Sequence, residues 1–176
     1  MDAYTDFAGV YDIFMDNTPY QEWADFLTEL IEKYGISKRR QDAEGMERDD
    51  GSIQEELLNS EKNLVLDLGC GTGTLTELLY QKGFDMVGVD NSEDMLNIAF
   101  AKRESSGSGI LYLCQDMREL DLYSTVGTVV CVCDSINYLL EADQVEDTFK
   151  LVNNYLYPGG LFIFDFNTLY KYEQVI

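Results

Sequence analysis

The stretch Asn63 to Leu79, NLVLDLGCGTGTLTELL, places an aspartate, Asp67, two residues ahead of three alternating glycines, Gly69, Gly71 and Gly73. Glycine lets a backbone turn sharply and approach another group with no Cβ in the way, so a ligand can come close to the main chain here. A tight turn from strand to helix also needs glycine for structural reasons alone, and the motif by itself does not choose. Its spacing does separate ligand classes. The dinucleotide fingerprint GxGxxG has its third glycine opening the helix beside a pyrophosphate. Here that position is Thr74, and the glycine falls one residue early. A carboxylate at Asp67 would repel a pyrophosphate and tolerate, or indirectly hold, an ammonium group. Three further carboxylates carry potential chemistry: Asp90 ending VGVD, Asp116 in QDM and Asp134 in CDSINY. Asp90 can accept hydrogen bonds from both hydroxyls of a ribose, or it can cap a helix before Ser92. Dinucleotide enzymes carry an acidic residue at the same place, so Asp90 alone does not discriminate.

The elements that must hold these residues follow from periodicity. Leu64 to Leu68 is a continuous apolar run, as expected of a strand buried on both faces. Thr74 to Gln81 reads as a helix closed by Gly83, Asp85 to Val89 as a strand, and Ser92 to Lys102 as a helix with Met95, Leu96 and Ala99 inward. SSGSG at 105–109 reads as a turn. Ile110 to Cys114 and Thr128 to Cys133 are the next strands. A helix carrying Val145, Phe149, Val152 and Leu156 is broken at Pro158-Gly159-Gly160, and Leu161 to Phe166 is a fifth strand. This alternation predicts right-handed βαβ crossovers: an α/β, doubly wound, mostly parallel sheet with helices on both faces. Ligands in such sheets bind beyond the carboxyl ends of the strands, and each motif above sits at one of those ends.

Upstream, Thr18, Pro19 and Gln21 predict a capped helix start, with Trp23, Phe26, Leu27, Leu30, Ile31 and Tyr34 on one face and Gly35 at the end. Residues 37–62 are highly charged and read as a mobile surface connection, with a short helix near Gln54 to Leu58. The chain thus divides into an N-terminal helical cap (1–36), the connection (37–62) and the core (63–176), all in one domain.

Composition excludes several functions. The 176 residues carry 33 acidic and 12 basic side chains, a formal charge of −21. Nucleic acid is bound by neutralising phosphates with Lys and Arg, so neither RNA nor DNA is an expected partner, and acidic membrane surfaces are repelled as well. No apolar run approaches the roughly 18 residues of a membrane-spanning helix, and the acidic N-terminus lacks a secretion pattern; the expectation is a cytoplasmic protein. There is no histidine, which removes the commonest metal ligand and the commonest general base. The four cysteines, Cys70, Cys114, Cys131 and Cys133, form no CxxC pair; three lie in apolar runs that read as buried strands, and all read as reduced core thiols, without a metal site or a disulfide framework.

The segment LDLGCGTG, Leu66 to Gly73, resembles the first motif of class I S-adenosylmethionine-dependent methyltransferases, and the resemblance runs from about Tyr4 to Asn167. It is strongest to small bacterial members with a Tyr-rich N-terminal helix, and it implies a Rossmann-like fold. By that resemblance Gly69, Cys70, Gly71 and Gly73 meet the methionine part of S-adenosylmethionine, with Asp67 orienting the loop and the amino group. Asp90, with Asn91 beside it, takes the ribose. Asp116 accepts from the adenine amino group, the Met117 N–H meets a ring nitrogen, and Met95 packs on the adenine or is simply core. Cys133 joins the cofactor contacts, and Asp134 lines the transfer pocket as the candidate base. Tyr4, Tyr11 and Trp23 resemble the cap that closes over the cofactor, with Trp23 equally placed in an apolar helix stripe.

The implied activity is methyl transfer to a small-molecule acceptor, leaving S-adenosylhomocysteine. Two other readings stay open: a non-catalytic cofactor-binding module that recruits a basic partner, and an NAD-binding oxidoreductase, which Thr74 and Asp67 disfavour. Family members continue past the fifth strand with two more strands, one antiparallel. The chain stops at Ile176, so the expectation is a fragment or a missing C-terminal part, with self-association through the exposed last strand.

Overall fold

The computed structural model describes residues 3–15, 17–40 and 60–175, with the side chains of 3–7 excepted. Two helices come first, α1 (Ala3–Phe14) and α2 (Tyr20–Tyr34). The core follows as β1 (Leu64–Leu68), α3 (Thr74–Gln81), β2 (Asp85–Asp90), α4 (Glu93–Ser106) and β3 (Leu111–Cys114). It continues through β4 (Val126–Cys131), α5 (Ala142–Tyr155), β5 (Leu156–Phe164) and the short α6 (Leu169–Gln174). Single 3₁₀ turns, Met117–Glu119 and Ser135–Tyr138, follow β3 and β4.

The five strands are all parallel in the order β3-β2-β1-β4-β5. The chain leaves β1 toward one edge and returns past it to β4, so the order reverses between β1 and β4. Alternation along each strand sends side chains to two cores. Val65, Met86, Tyr112 and Val130 face α2, α3 and α4. Leu66, Leu68, Val87, Val89, Val129 and Cys131 face the side covered by α5. Leu66, Leu68 and Val65 are fully buried, and removing such a side chain from water contributes roughly 1.5–3 kcal/mol each.

Several local expectations are corrected. β4 runs two residues earlier than the expected Thr128 to Cys133, and Cys114, expected in the core, is exposed at the end of the edge strand β3. Thr18 does not cap α2. The N-cap position is Pro19 with no side-chain bond, and the Thr18 hydroxyl turns to Met15 Sδ at 3.7 Å. The buried stripe of α2 is Ala24, Leu27, Thr28 and Ile31, so Phe26 and Tyr34, expected inside, are exposed. α5 ends at Tyr155, and Leu156 already pairs with Val126 in β5. The strand therefore passes through Pro158-Gly159-Gly160 instead of starting after it. The register steps from Val126↔Leu156 to Thr128↔Leu161, so these residues bulge out, with Gly159 at φ +82°. Proline is tolerated because an edge strand leaves its outer N–H positions without a ladder partner.

The connection is anchored at its start. Ser37 is buried, with its hydroxyl against Lys62 O (3.1 Å) and Thr128 Oγ1 (2.8 Å), and Arg40 donates to Phe84 O and Tyr80 O while stacking on the Tyr80 ring. The expected helix near Gln54 to Leu58 lies outside the described residues.

Candidate functional site

A cavity of about 530 Å³ opens at the carboxyl end of the sheet, where the strand order reverses between β1 and β4. This is where an open α/β sheet offers a crevice to ligands. Asp67, Gly69, Cys70 and Gly71 from the end of β1 form its floor, Asp90, Asn91 and Met95 follow β2, Asp116 and Met117 follow β3, and Cys133 follows β4. Tyr11 of α1 and Tyr20 of α2 close it from above. Three residues expected at the site do not line it: Gly73, Trp23 and Asp134.

The glycine loop is fixed by its own bonds. Gly69 and Cys70 donate N–H bonds to Val89 O at 2.7 and 2.9 Å, and Gly71 donates to Asp90 Oδ2 at 2.8 Å. All three glycines have positive φ, +82°, +54° and +74°, which glycine adopts without strain. They were expected to share one purpose, and they do not. A Cβ on Gly69 would lie 2.6 Å from Ser135 Oγ, and one on Gly73 would strike the Tyr112 hydroxyl. Only at Gly71 is the space beyond Cα open. Gly71 is the position that admits a ligand; Gly69 and Gly73 admit neighbouring side chains.

The carboxylates divide likewise. Asp67 is buried, accepts from Thr76 Oγ1 at 2.6 Å, and titrates at about 6, raised by loss of solvent with Asp90 adding to the shift. Asp90 binds the loop through Oδ2 and the Ser92 N–H through Oδ1 at 2.9 Å, leaving each oxygen with a further acceptor position. The cap of α4 is Ser92 itself, whose Oγ accepts from Met95 N. Asp116 begins the 3₁₀ turn after β3 and is gripped by Arg118, through Nε at 2.9 Å and Nη2 at 2.5 Å, which holds it below the usual carboxylate range.

Beyond β4, Cys133 and Asp134 both take φ +62°. Burial pushes the Cys133 thiol up to about 12, helped by Asp67, Asp165 and Asp134. The Asp134 carboxylate lies 3.4 Å from Lys171 Nζ of α6, and its N–H donates to Asp165 Oδ1 at 3.1 Å. Asp134 does not line the cavity, although Cys133, with the same φ, does. Trp23 packs edge-on against Tyr20 at 6.0 Å between ring centres and joins the core cluster beneath α2. Tyr4 is in α1, with its side chain outside the described residues. Burial raises the phenols of Tyr11 and Tyr20 above the ordinary tyrosine range, and the two share a hydrogen bond.

Reading the sequence missed several lining residues, Tyr20, Thr72, Thr74 and Ser135, while Tyr138 of the CDSINY motif does line the cavity. Thr72, Thr74 and Ser135 lie inside quoted motifs and could have been found by asking which non-glycine residues share the loops. Asp12, bonded to Thr72 at 2.7 Å and Thr74 at 3.3 Å, carried no local signal at all.

The sequence and the fold have counterparts among known proteins. An inferred methyltransferase of Geobacillus sp. (strain WCH70) is 36% identical over 173 residues, 98% of this chain and 61% of that protein. One from Bacillus subtilis (strain 168) is 35% identical, again over 98% of this chain and 58% of that protein. The chain therefore spans about three-fifths of the length of these curated relatives. Among solved structures, an S-adenosylmethionine-dependent methyltransferase from Clostridium acetobutylicum ATCC 824 superposes with a TM-score of 0.74 at 33% identity, covering 99% of this chain and 61% of that one. Residues 65–160, from the second residue of β1 to the bulge in β5, match the family model for a methyltransferase domain. The chain belongs to the class I S-adenosylmethionine-dependent methyltransferase family.

Proposed function

We propose that this chain binds S-adenosylmethionine in the cavity at the β1–β4 switch point and, within the whole protein, serves methyl transfer to a small-molecule acceptor. The observation that carries the reading is a convergence around one space. The open face of Gly71, the spare acceptor positions of Asp90 and the wall formed by Asp116 and Met117 all border the same volume. That volume falls within the roughly 300–1,000 Å³ of ordinary ligand pockets. Asp90 would hold the ribose, Asp116 and Met117 the adenine, and the Gly71 loop above Asp67 the amino-acid end. A ligand with one ribose and no pyrophosphate suits a floor that carries a buried carboxylate.

Bound there, the sulfonium supplies an electrophilic methyl group, and the chain's task is to orient it and to exclude water. Tyr11 and Tyr20 line the cavity and would offer their rings to a cation, with phenols that burial keeps neutral. Cys133 stays a thiol at neutral pH, so it neither accepts a methyl group as thiolate nor removes a proton. With Asp134 paired to Lys171 outside the cavity, the reading favours an acceptor that arrives with its own free lone pair.

Calorimetric titration with S-adenosylmethionine, S-adenosylhomocysteine and NAD tests the reading. The expected outcome is binding of the first two and none of NAD. A folded chain that binds NAD and ignores S-adenosylhomocysteine overturns it.

A further inference from the structure

Helix α1 sits at the mouth of the cavity, and the described side chains of its second half bury little apolar surface. Among its described side chains only Ala8 is buried, while Ile13 and Phe14 are each 72% exposed. Besides the bond between Tyr11 and Tyr20, that half is fastened through Asp12. Oδ1 accepts from Thr72 Oγ1 at 2.7 Å and from Thr74 Oγ1 at 3.3 Å, and Oδ2 pairs with Lys102 Nζ at 2.7 Å. Lys102 also donates to Thr74 Oγ1 at 2.6 Å and to Thr72 Oγ1 at 3.1 Å. Four side chains thereby join α1, the glycine loop with the start of α3, and α4. Thr72 and Thr74 line the cavity, and so does Tyr11, the neighbour of Asp12.

We propose that Asp12 is the latch of a lid. Its carboxylate, seated between Thr72, Thr74 and Lys102, holds α1 over the cavity, and the cofactor passes in and out when that contact opens. The cofactor's identity rests on the function proposed above; the latch does not. A helix held by buried apolar surface leaves only when that surface meets water. A helix held by an ion pair and hydroxyl bonds leaves more readily, because water takes over each partner. The Asp12 and Lys102 side chains are 40% and 29% exposed, so water already reaches the pair. The seat also touches the loop that faces the ligand, so opening the latch and loosening the loop are one event.

Hydrogen–deuterium exchange without ligand tests the latch on the parent, Asp12→Asn, Lys102→Met and the reversed pair Asp12→Lys with Lys102→Asp. Exchange in α1 should rise about five- to tenfold in each single variant, while the sheet stays protected. It should fall back in the reversed pair, since threonine hydroxyls accept as readily as they donate. Where a single variant loses protection in the sheet as well, Thr74→Val replaces it and should loosen α1 to a smaller degree. Dissociation of S-adenosylhomocysteine, followed by the fluorescence of Trp23, the one tryptophan, should quicken in step with α1 exchange. Unchanged α1 exchange in the variants overturns the latch, and loosened α1 with unchanged dissociation overturns the lid. If the parent binds no S-adenosylhomocysteine, the cofactor reading falls and α1 exchange alone decides for or against the latch.

Discussion

Two loops leave the sheet side by side and turn through the same left-handed backbone region, with different residues. After β1 the positive φ angles belong to Gly69, Gly71 and Gly73; after β4 they belong to Cys133 and Asp134. Glycine takes that conformation freely, whereas a residue with a Cβ gives up roughly 1–2 kcal/mol. The second loop is therefore strained, and bonds from its surroundings hold it. The Asp134 N–H is bound by Asp165, and Ser135 Oγ bonds both Val132 O (2.9 Å) and Gly69 O (3.2 Å). That last bond ties the strained loop to the relaxed one. The difference teaches that the first loop is a rigid seat, while the second stores strain beside the cavity, as backbone at reacting sites often does.

If the seat carries the binding energy, the largest effect belongs to Asp90. Asp90→Ala removes the anchor of Gly71 and the ribose acceptor together. It should lower S-adenosylhomocysteine affinity by about 30- to 1000-fold, or roughly 2–4 kcal/mol, in calorimetry. A loss of under threefold would shift the binding energy to the second loop and break the comparison.

The buried Asp67 gives the seat a pH signature. Its folded pKa, about 6, is raised above the ordinary carboxylate value of 3.8. The folded state thus keeps a proton that the unfolded chain has released. The associated stability is full below about pH 4 and is lost as pH rises toward and past 6, by about 3 kcal/mol in all. Urea midpoints between pH 4 and 8, without ligand, should show this decline, and Asp67→Asn should flatten it. Parallel curves for the two proteins would place the ionisation elsewhere.

The division among the glycines gives a contrast of about 1–2 kcal/mol. Gly73→Ala forces a methyl group against Tyr112 and should cost about 2–3 kcal/mol of stability. Gly71→Ala meets open space and should cost only the left-handed term of about 1 kcal/mol, yet weaken ligand binding. Thermal melts and titrations of both variants check the pair; similar losses of stability would contradict the division. The smallest change tests the strain. Asp134→Gly should stabilise the fold by about 1 kcal/mol in the same melts, because it removes the Cβ from a positive φ while leaving the N–H bond to Asp165 intact. A loss of stability would mean that the pair with Lys171 outweighs the strain.

Much of the frame was legible in the chain. Apolar runs such as Leu64 to Leu68, between glycines and helix patterns, marked the strands because a strand buried on both faces reads as a continuous apolar run; such a run marks its ends less sharply, and β4 begins and ends two residues before the expected Thr128 to Cys133. Asp67, Asp90 and Asp116 were legible as lining residues because each ends a strand or opens the turn after it, and topology alone brings those ends together. Failures occurred where long-range packing decides. The face of α2 is set by where the sheet lies, so Phe26 reads as core but faces water. The bulge at Pro158 is set by pairing with β4. Asp134 looked like a pocket residue by position, but its carboxylate pairs with Lys171 of α6 and its N–H with Asp165, just past the end of β5. The partnership of Asp12 with Lys102 crosses most of the folded unit, and no local pattern announces it.

The ring of Tyr112 has one more consequence. It lies beneath Gly73, and it also lies against Gly88 of β2, where an added Cβ would meet the same ring. One aromatic side chain thus occupies the space that two glycines on separate segments leave vacant. The three positions are bound into a single epistatic unit. A methyl group at either glycine is blocked while the tyrosine stands, and a smaller residue at 112 opens a void until a glycine grows to fill it. At Gly88 substitutions must then accumulate in a fixed order, the ring shrinking first, while Gly73, with its positive φ and Ala99 also beside it, is held constant even in a descendant that no longer binds any ligand.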